Sequence, residues 1–175
     1  MELYLLRHGD AVDRGTGGYE RDEERPLTDE GRMEARHAAR ALLNLGVGLD
    51  LLLTSPLTRA GQTAAIAAEI LRPRLGAHRC EALAPGGAPE AVLAAITGRG
   101  DYSGVGEAGP GRVLLVGHMP DLGELAGWLV WGRADLPLAL RTGGLCRIDL
   151  PTGRGAAGSG DLRWLLPPRL LRRLA

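Results

Sequence analysis

Two apolar runs in this 175-residue chain end alike. "LYLLRHG" delivers Arg7, His8 and Gly9, and "VLLVGHM" delivers Gly117, His118 and Met119. A neutral imidazole carries a free lone pair, so it can act as a nucleophile or exchange a proton near neutral pH. A guanidinium is a permanent cation whose fork of donors matches phosphate oxygens. A third stretch, "TSPLTRAGQT", brings Arg59 shortly after another apolar run. Two imidazoles and two guanidiniums at three such termini point to a cationic pocket for a phosphoryl group. An isolated Arg-His at a strand end is ordinarily a solvated terminus; the repetition argues against that here.

These side chains act together only if the elements bearing them converge. Residues 2–6 read as a buried strand, apolar and ended by glycine. Residues 9–27 are a long polar loop. Thr28 can cap a helix whose first turn holds Asp29 and Glu30, with Met33, Ala35, Ala38, Ala39 and Leu42 as its apolar stripe to about residue 45. A strand follows over 50–54. Ser55 then reads as an N-cap and Pro56 as a first helical position, before Leu57, Ala60, Ala64, Ala67 and Leu71 at helical spacing.

Further on come a short strand over 78–83, a helix over 88–96 and a Gly-rich loop over 98–111. The next strand spans 112–116, and a helix starts near Pro120. Two late strands pair around the polar turn 151–160, and the basic tail "PPRLLRRLA" reads as a surface segment. Alternating strands and helices imply an α/β fold. We expect one domain over residues 1–175, a three-layer sandwich with a mostly parallel central sheet and helices on both faces. If the strands run parallel, Arg7, His8, Arg59 and His118 gather at the carboxyl edge, where open α/β sheets bind ligands. The helix near Pro120 would add unpaired N–H groups to that edge.

Composition narrows the chemistry. Lys plus Arg balances Asp plus Glu at 21 each, so no global basic field attracts nucleic acid or a membrane. The sequence contains no lysine, which excludes a phosphate-binding G-x-x-x-x-G-K loop and a Schiff-base lysine. Two cysteines, Cys80 and Cys146, are too few for a disulfide framework or a zinc cage and suit a reducing compartment. No early apolar stretch has the length of a signal peptide or membrane span. The expected location is the cytoplasm.

Other features have plainer readings. His37, beside Arg36 and Arg40, belongs to a solvated helix face, and His78 reads as structural. The run "YERDEER" reads as a solvated loop, with a lid or docking role as the second reading. "GVGEAG", residues 104–109, matches a dinucleotide fingerprint in letters. It precedes Pro110 and a strand, whereas that fingerprint must follow a strand and open a helix.

The blocks "LLRHG", "TSPLTRAGQTA" and "LLVGHMP" resemble, in order, the signatures of the histidine phosphatase superfamily, also named after phosphoglycerate mutase. "RHGDA", "RPLTDEG", "LAPGG" and "GHMP" are similar to its small bacterial phosphohistidine phosphatases. Asp10 and Ala11 replace the residues that usually follow R-H-G in the mutases. Met119 stands where the acid phosphatases carry an aspartate. The resemblance implies that His8 is the nucleophile and that phosphate is held by Arg7, Gly9, Arg59, His118 and Met119. It places a possible proton donor at Glu81 in "CEALAPGG", where a plain surface glutamate is the competing reading.

The activity so implied is a phosphatase that forms a covalent phosphohistidine and needs no metal or cofactor. Residues 73 to 111 are too few for the large cap of bigger relatives, which suggests an open pocket that a protein surface could approach. Phosphohistidine on a phosphorelay domain of a signalling protein is the leading substrate. Small phosphate esters on the same machinery, and an inactive phospho-binding module, are the alternatives. Neither a nucleic-acid nor a membrane partner is expected, and the sequence does not give an oligomeric state.

Overall fold

Six strands form one mixed sheet in the computed structural model, which describes residues 1–97, 109–151 and 156–175. The strands are β1 (Glu2–Arg7), β2 (Leu51–Thr54), β3 (Ala77–Arg79), β4 (Arg112–Gly117), β5 (Leu145–Asp149) and β6 (Asp161–Leu166), in the spatial order β3-β2-β4-β1-β5-β6. Strands β1 to β4 are mutually parallel, while β5 runs antiparallel to both β1 and β6. Parallel strands covered on both faces need apolar residues on both. The interiors of β1, β2 and β4 meet this, with nearly every residue buried.

Alternation along each strand divides the core in two. Leu3, Leu5, Leu51, Leu53, Val113 and Leu115 face one layer, formed by α3 (Pro89–Thr97) and α4 (Asp121–Trp131). Tyr4, Leu6, Leu52, Leu114 and Val116 face the other, formed by α1 (Asp29–Asn44), α2 (Thr58–Leu71) and α5 (Pro168–Leu174). The fold is therefore a single α/β domain with helices on both faces. Alanines 38, 39, 60, 64 and 67 fill the α1–α2 side, where small side chains let both helices lie close to the sheet.

Several local expectations are revised. Met33 is 49 % exposed and not part of the α1 stripe, although Thr28 does cap that helix by accepting from the Gly31 amide at 3.0 Å. Helix α2 begins at Thr58, without a side-chain cap, so Ser55 is not its N-cap. The expected strand over 78–83 is β3 followed by a 3-10 turn at Glu81–Leu83. The basic tail is α5, anchored in the core by Leu171 against the α1 side. The loop 98–111 and "GVGEAG" fall almost wholly outside the described residues, as does part of the 151–160 turn. Among the described residues, no helix is long and apolar enough to cross a membrane.

Register explains the site. In the β1–β4 pair Arg7 lies opposite Gly117, so the next residues, His8 and His118, leave adjacent strands together. On the other side of β4, Thr54 lies opposite Val116. Ser55 therefore emerges at the same edge, its amide bonded to the Val116 carbonyl at 2.9 Å.

Candidate active site

The two imidazoles stand with ring centroids 5.0 Å apart and planes inclined at 55°. Both are buried at the carboxyl edge of the parallel strands. Their surroundings differ. His8 Nδ1 lies 2.7 Å from the Gly9 carbonyl oxygen, which can only accept, so this nitrogen carries the ring proton. Nε2 is left with a lone pair, and Arg59 Nε donates to it at 3.2 Å. Burial lowers the His8 pKa to about 4; the Gly9 carbonyl opposes that shift, and the charges of Arg59, Arg7 and Arg25 add to it. The ring is neutral at pH 7 chiefly because it is dry, and only secondarily because cations surround it.

His118 is held from the opposite ring atom. Its Nε2 lies 2.7 Å from Ser55 Oγ. The Ser55 hydroxyl also accepts from the Leu57 amide at 3.3 Å, and it is fully buried, so its own proton finds an acceptor in His118 Nε2. The ring proton then sits on Nδ1, a buried atom with no partner among the described residues. Burial, followed by the neighbouring His8 and Arg59, lowers the His118 pKa to about 3. The arrangement offers one neutral ring with a free lone pair beside another with a free N–H.

Arg59, in the first turn of α2, is 5 % exposed and fully engaged. Besides His8 it donates Nη1 to the Asp22 carbonyl at 2.7 Å and Nη2 to the Asp22 carboxylate at 2.9 Å. Burial pulls Asp22 upward, but its bonds and ion pairs with Arg59 and Arg25 outweigh this and leave its pKa below the ordinary value. Arg7 donates Nη1 to the Leu140 carbonyl at 3.0 Å, and its buried Nε has no partner among the described residues. Arginine and imidazole donors thus gather at one sheet edge, a donor set whose chemistry matches a tetrahedral oxyanion. Among the described residues, no three His, Cys, Asp or Glu side chains gather as metal ligands.

Arg7, His8, Arg59 and His118 are brought together; two other candidates stand differently. The Gly9 amide donates to Thr63 Oγ1 at 3.2 Å, so it is not free for a phosphate. Its lack of a side chain serves packing instead, because a Cβ on Gly9 would run into the Gly31 backbone of α1. Glu81 sits in the 3-10 turn after β3, largely exposed and paired with Arg79 at 2.8 Å. Its carboxylate has no bond to either imidazole. Met119 follows His118 directly, at the entry to α4. His37 is partly exposed, with a pKa lowered by partial burial and by Arg172 and Arg40. His78 Nε2 bonds the Leu75 carbonyl.

Ser55, Thr63 and Asp22 also belong to the site, and no chemical signal in the sequence marks them as such. Ser55 resembled a helix cap, since Ser-Pro before a helix has that ordinary use. Thr63 lay at a helical position with no chemical signal. Asp22 was hidden in a charge run, and only its fold-back onto Arg59 distinguishes it. The rest of the run is largely exposed, as a solvated loop is, and Asp22 ties it to Arg59.

Similarity to known proteins agrees with the geometry. The model of the histidine phosphatase superfamily (branch 1) matches residues 3–84. An uncharacterized protein of Picosynechococcus sp. is 38 % identical over 177 residues, covering 95 % of this chain and 100 % of that one. The phosphohistidine phosphatase SixA of Escherichia coli is 29 % identical over 171 residues, covering 96 % of this chain and 94 % of that protein. A structure of the protein histidine phosphatase SixA complexed with tungstate superposes with a TM-score of 0.79 at 29 % identity, over 98 % of this chain and 99 % of that one. With strand order, paired histidines and full-length likeness all agreeing, the chain belongs to the histidine phosphatase superfamily.

Proposed function

We propose that this protein removes phosphate from phosphohistidine on a signalling protein through a covalent intermediate on His8. The observation that carries the reading is the held ring of His8. Its Nδ1 proton is tied to the Gly9 carbonyl, its Nε2 lone pair is free of a proton, and its pKa of about 4 keeps it so at neutral pH. As the phosphoryl group arrives, the Arg59 Nε–H leaves Nε2 and turns to a phosphoryl oxygen. Nε2 attacks phosphorus, an N–P bond forms, and the bond to the substrate's nitrogen breaks with its electron pair going to that nitrogen. Arg7, Arg59 and the His118 Nδ1–H hold the oxygens, the main route to catalysis of phosphoryl transfer. Water then attacks phosphorus, the N–P bond to His8 breaks, and phosphate leaves.

A phosphohistidine substrate suits a site without a dedicated acid. Once its ring is protonated, the substrate imidazole leaves as a neutral base, whereas an alkoxide needs a proton delivered during the step. Glu81, exposed and paired with Arg79, makes no such delivery in this arrangement. The described part of the segment between α2 and β4 builds no cap: α3 buries Val92 and Ile96 in the core. The name of the similar Escherichia coli protein, and the oxyanion in the complex with tungstate, support the same reading. The expected setting is cytoplasmic.

The second reading, a phosphatase of small phosphate esters, is favoured by a cavity of about 640 Å³ beside Arg7, large enough for a small organic ligand. Quenching into alkaline denaturant, in which phosphohistidine survives, after mixing with a ³²P-labelled histidine-containing phosphorelay domain tests the proposal. Label trapped on His8, and lost in His8→Ala, is expected. Absence of both trapped label and phosphate release on any substrate leaves only a phospho-binding module. Sugar phosphates turning over far faster than the phosphorelay domain would move the assignment to the second reading.

A further inference from the structure

The sheet edge continues past the histidines, on the β5 and β6 side. Leu145 opens β5 opposite Leu6 of β1, and Leu166 closes β6 opposite Leu145. The residues just before β5 and just after β6 therefore arrive at the edge where β1 delivers Arg7. Two backbone bonds secure the first of these loops to β1: the Gly143 amide to the His8 carbonyl, and the Arg7 amide to the Gly144 carbonyl, both at 3.0 Å. Together the loops enclose the cavity of about 640 Å³, lined by Arg7, Glu34, Arg141, Thr142, Pro167, Pro168 and Arg169. One oxyanion at His8 does not need such a volume, which lies in the range of sites for whole organic ligands, about 300–1,000 Å³.

The charges in this cavity are unbalanced. Three guanidiniums face it against one carboxylate. Arg141 and Arg169 are exposed, and neither side chain has a hydrogen bond or an ion pair among the described residues. Some exposed arginines elsewhere close onto near neighbours, Arg133 onto Asp135 at 2.6 Å and Arg79 onto Glu81 at 2.8 Å, whereas Arg141 and Arg169 share one cavity with Arg7. The single acid in the cavity is committed to the backbone, Glu34 Oε2 accepting from the Asp10 amide at 2.9 Å. Burial raises the Glu34 pKa, although the charge of Arg7 opposes the shift. Pro167 and Pro168 make that wall stiff.

From the cavity beside Arg7 and the unpaired Arg141 and Arg169, we propose a second anion subsite for a carboxylate carried by the same substrate as the phosphoryl group. The inference rests on the proposed phosphatase reading, in that Arg7 is taken to hold the phosphoryl group on its other side. It deepens that reading by requiring a substrate with two anionic groups. A free metabolite with a phosphate and a carboxylate, or a protein whose phosphohistidine is flanked by aspartate or glutamate, would supply both.

Calorimetry on the wild-type protein with non-hydrolysable phosphonates tests this without turnover. A series of ω-phosphonocarboxylates with two to five carbons is compared with alkylphosphonates of equal length. At least one length should bind about tenfold more tightly than its alkyl counterpart, the scale of one charge-assisted contact. In Arg141→Ala/Arg169→Ala that advantage should vanish, while the alkylphosphonates change less than about twofold. Equal affinity across the series, or an advantage that persists in the double variant, overturns the subsite. A second arm compares phosphohistidine peptides bearing flanking aspartates or asparagines on His8→Ala protein. Preference for the acidic peptide, lost in the added double variant, supports the subsite and places the carboxylate on a protein. No preference, with the phosphonocarboxylate advantage intact, supports the subsite for a small metabolite. Turnover of p-nitrophenyl phosphate by the wild type, lost in His8→Ala, tests the phosphatase reading separately.

Discussion

His8 and His118 end neighbouring parallel strands, in register, after runs of near-identical character, yet the protein anchors them by opposite ring atoms. His8 is fixed through Nδ1 by the main chain one residue away, and its Nε2 lone pair meets only an arginine donor. His118 is fixed through Nε2 by Ser55, which a different strand delivers, and its Nδ1 proton has no partner among the described residues. The difference lies in which nitrogen keeps its lone pair. Equal residues at equal positions thereby become an electron donor and a hydrogen-bond donor, and a phosphoryl group between them can use both.

Removing each ring in turn strains this distinction most. His8→Ala should lower kcat for phosphohistidine hydrolysis by about 10⁴-fold or more, because no nucleophile remains. His118→Ala removes one oxyanion donor and should cost about 10²-fold. Single-turnover assays with labelled substrate measure both. Equal losses would mean that the two rings act as one unit and that the contrast in anchoring has no chemical consequence.

Acid probes the two rings together. Their folded pKa values, about 4 and about 3, lie below the ordinary imidazole value of about 6.5. As pH falls below 6.5, the unfolded chain takes up protons that the folded chain refuses. Stability present above pH 6.5 is therefore lost as pH falls toward 4 and then 3, by at most roughly 3 kcal/mol for His8 and roughly 5 kcal/mol for His118. Urea midpoints at pH 7.5 and 4.5 should show the loss, and His8→Gln/His118→Gln should largely remove it. Activity should outlast that of an ordinary imidazole nucleophile, holding to about pH 5 before His8 protonates. A kcat/KM that drops around pH 6.5 would show that His8 is not dry in the working enzyme.

What the sequence revealed follows from which forces act locally. The strands β1, β2 and β4 were legible because strands covered on both faces must be apolar along their whole length. Arg7, His8 and His118 were legible because polar side chains interrupt those runs at one end. Arg59 was legible from helical spacing after β2. The partners that tune them were not. Ser55 carries the same Ser-Pro signal whether it caps a helix or holds an imidazole, and β2–β4 register decides the matter. Asp22 reaches Arg59 only because a 3-10 turn brings residues 22–24 back over α2. Leu171 anchors the tail by one side chain, too short a signal to outweigh five arginine and proline neighbours. Arg141 and Arg169 come to line one cavity through the antiparallel β5–β6 pair, and nothing local marks them.

The smallest change sharpens the comparison most, since it alters one hydroxyl and leaves both rings in place. Ser55→Ala removes the acceptor-donor that fixes the His118 tautomer, while Leu57 loses only a long bond of 3.3 Å. A neutral imidazole without that partner is free to carry its proton on Nε2, which presents a lone pair instead of an N–H toward the phosphoryl oxygens. Repulsion between that lone pair and an oxyanion replaces a hydrogen bond for part of the population. The expected loss is about five- to tenfold in kcat/KM, well short of removing the ring. ¹⁵N chemical shifts of the two histidines provide the readout that a structural effect alone would not move. His118 Nδ1 should shift from the protonated toward the unprotonated range, and His8, tied to its own backbone, should not move. Ser55→Thr, which restores the hydroxyl, should recover both the shift and the rate. Rate loss without any change in the His118 tautomer would place the role of Ser55 in packing, and the contrast between the two rings would then rest on His8 alone.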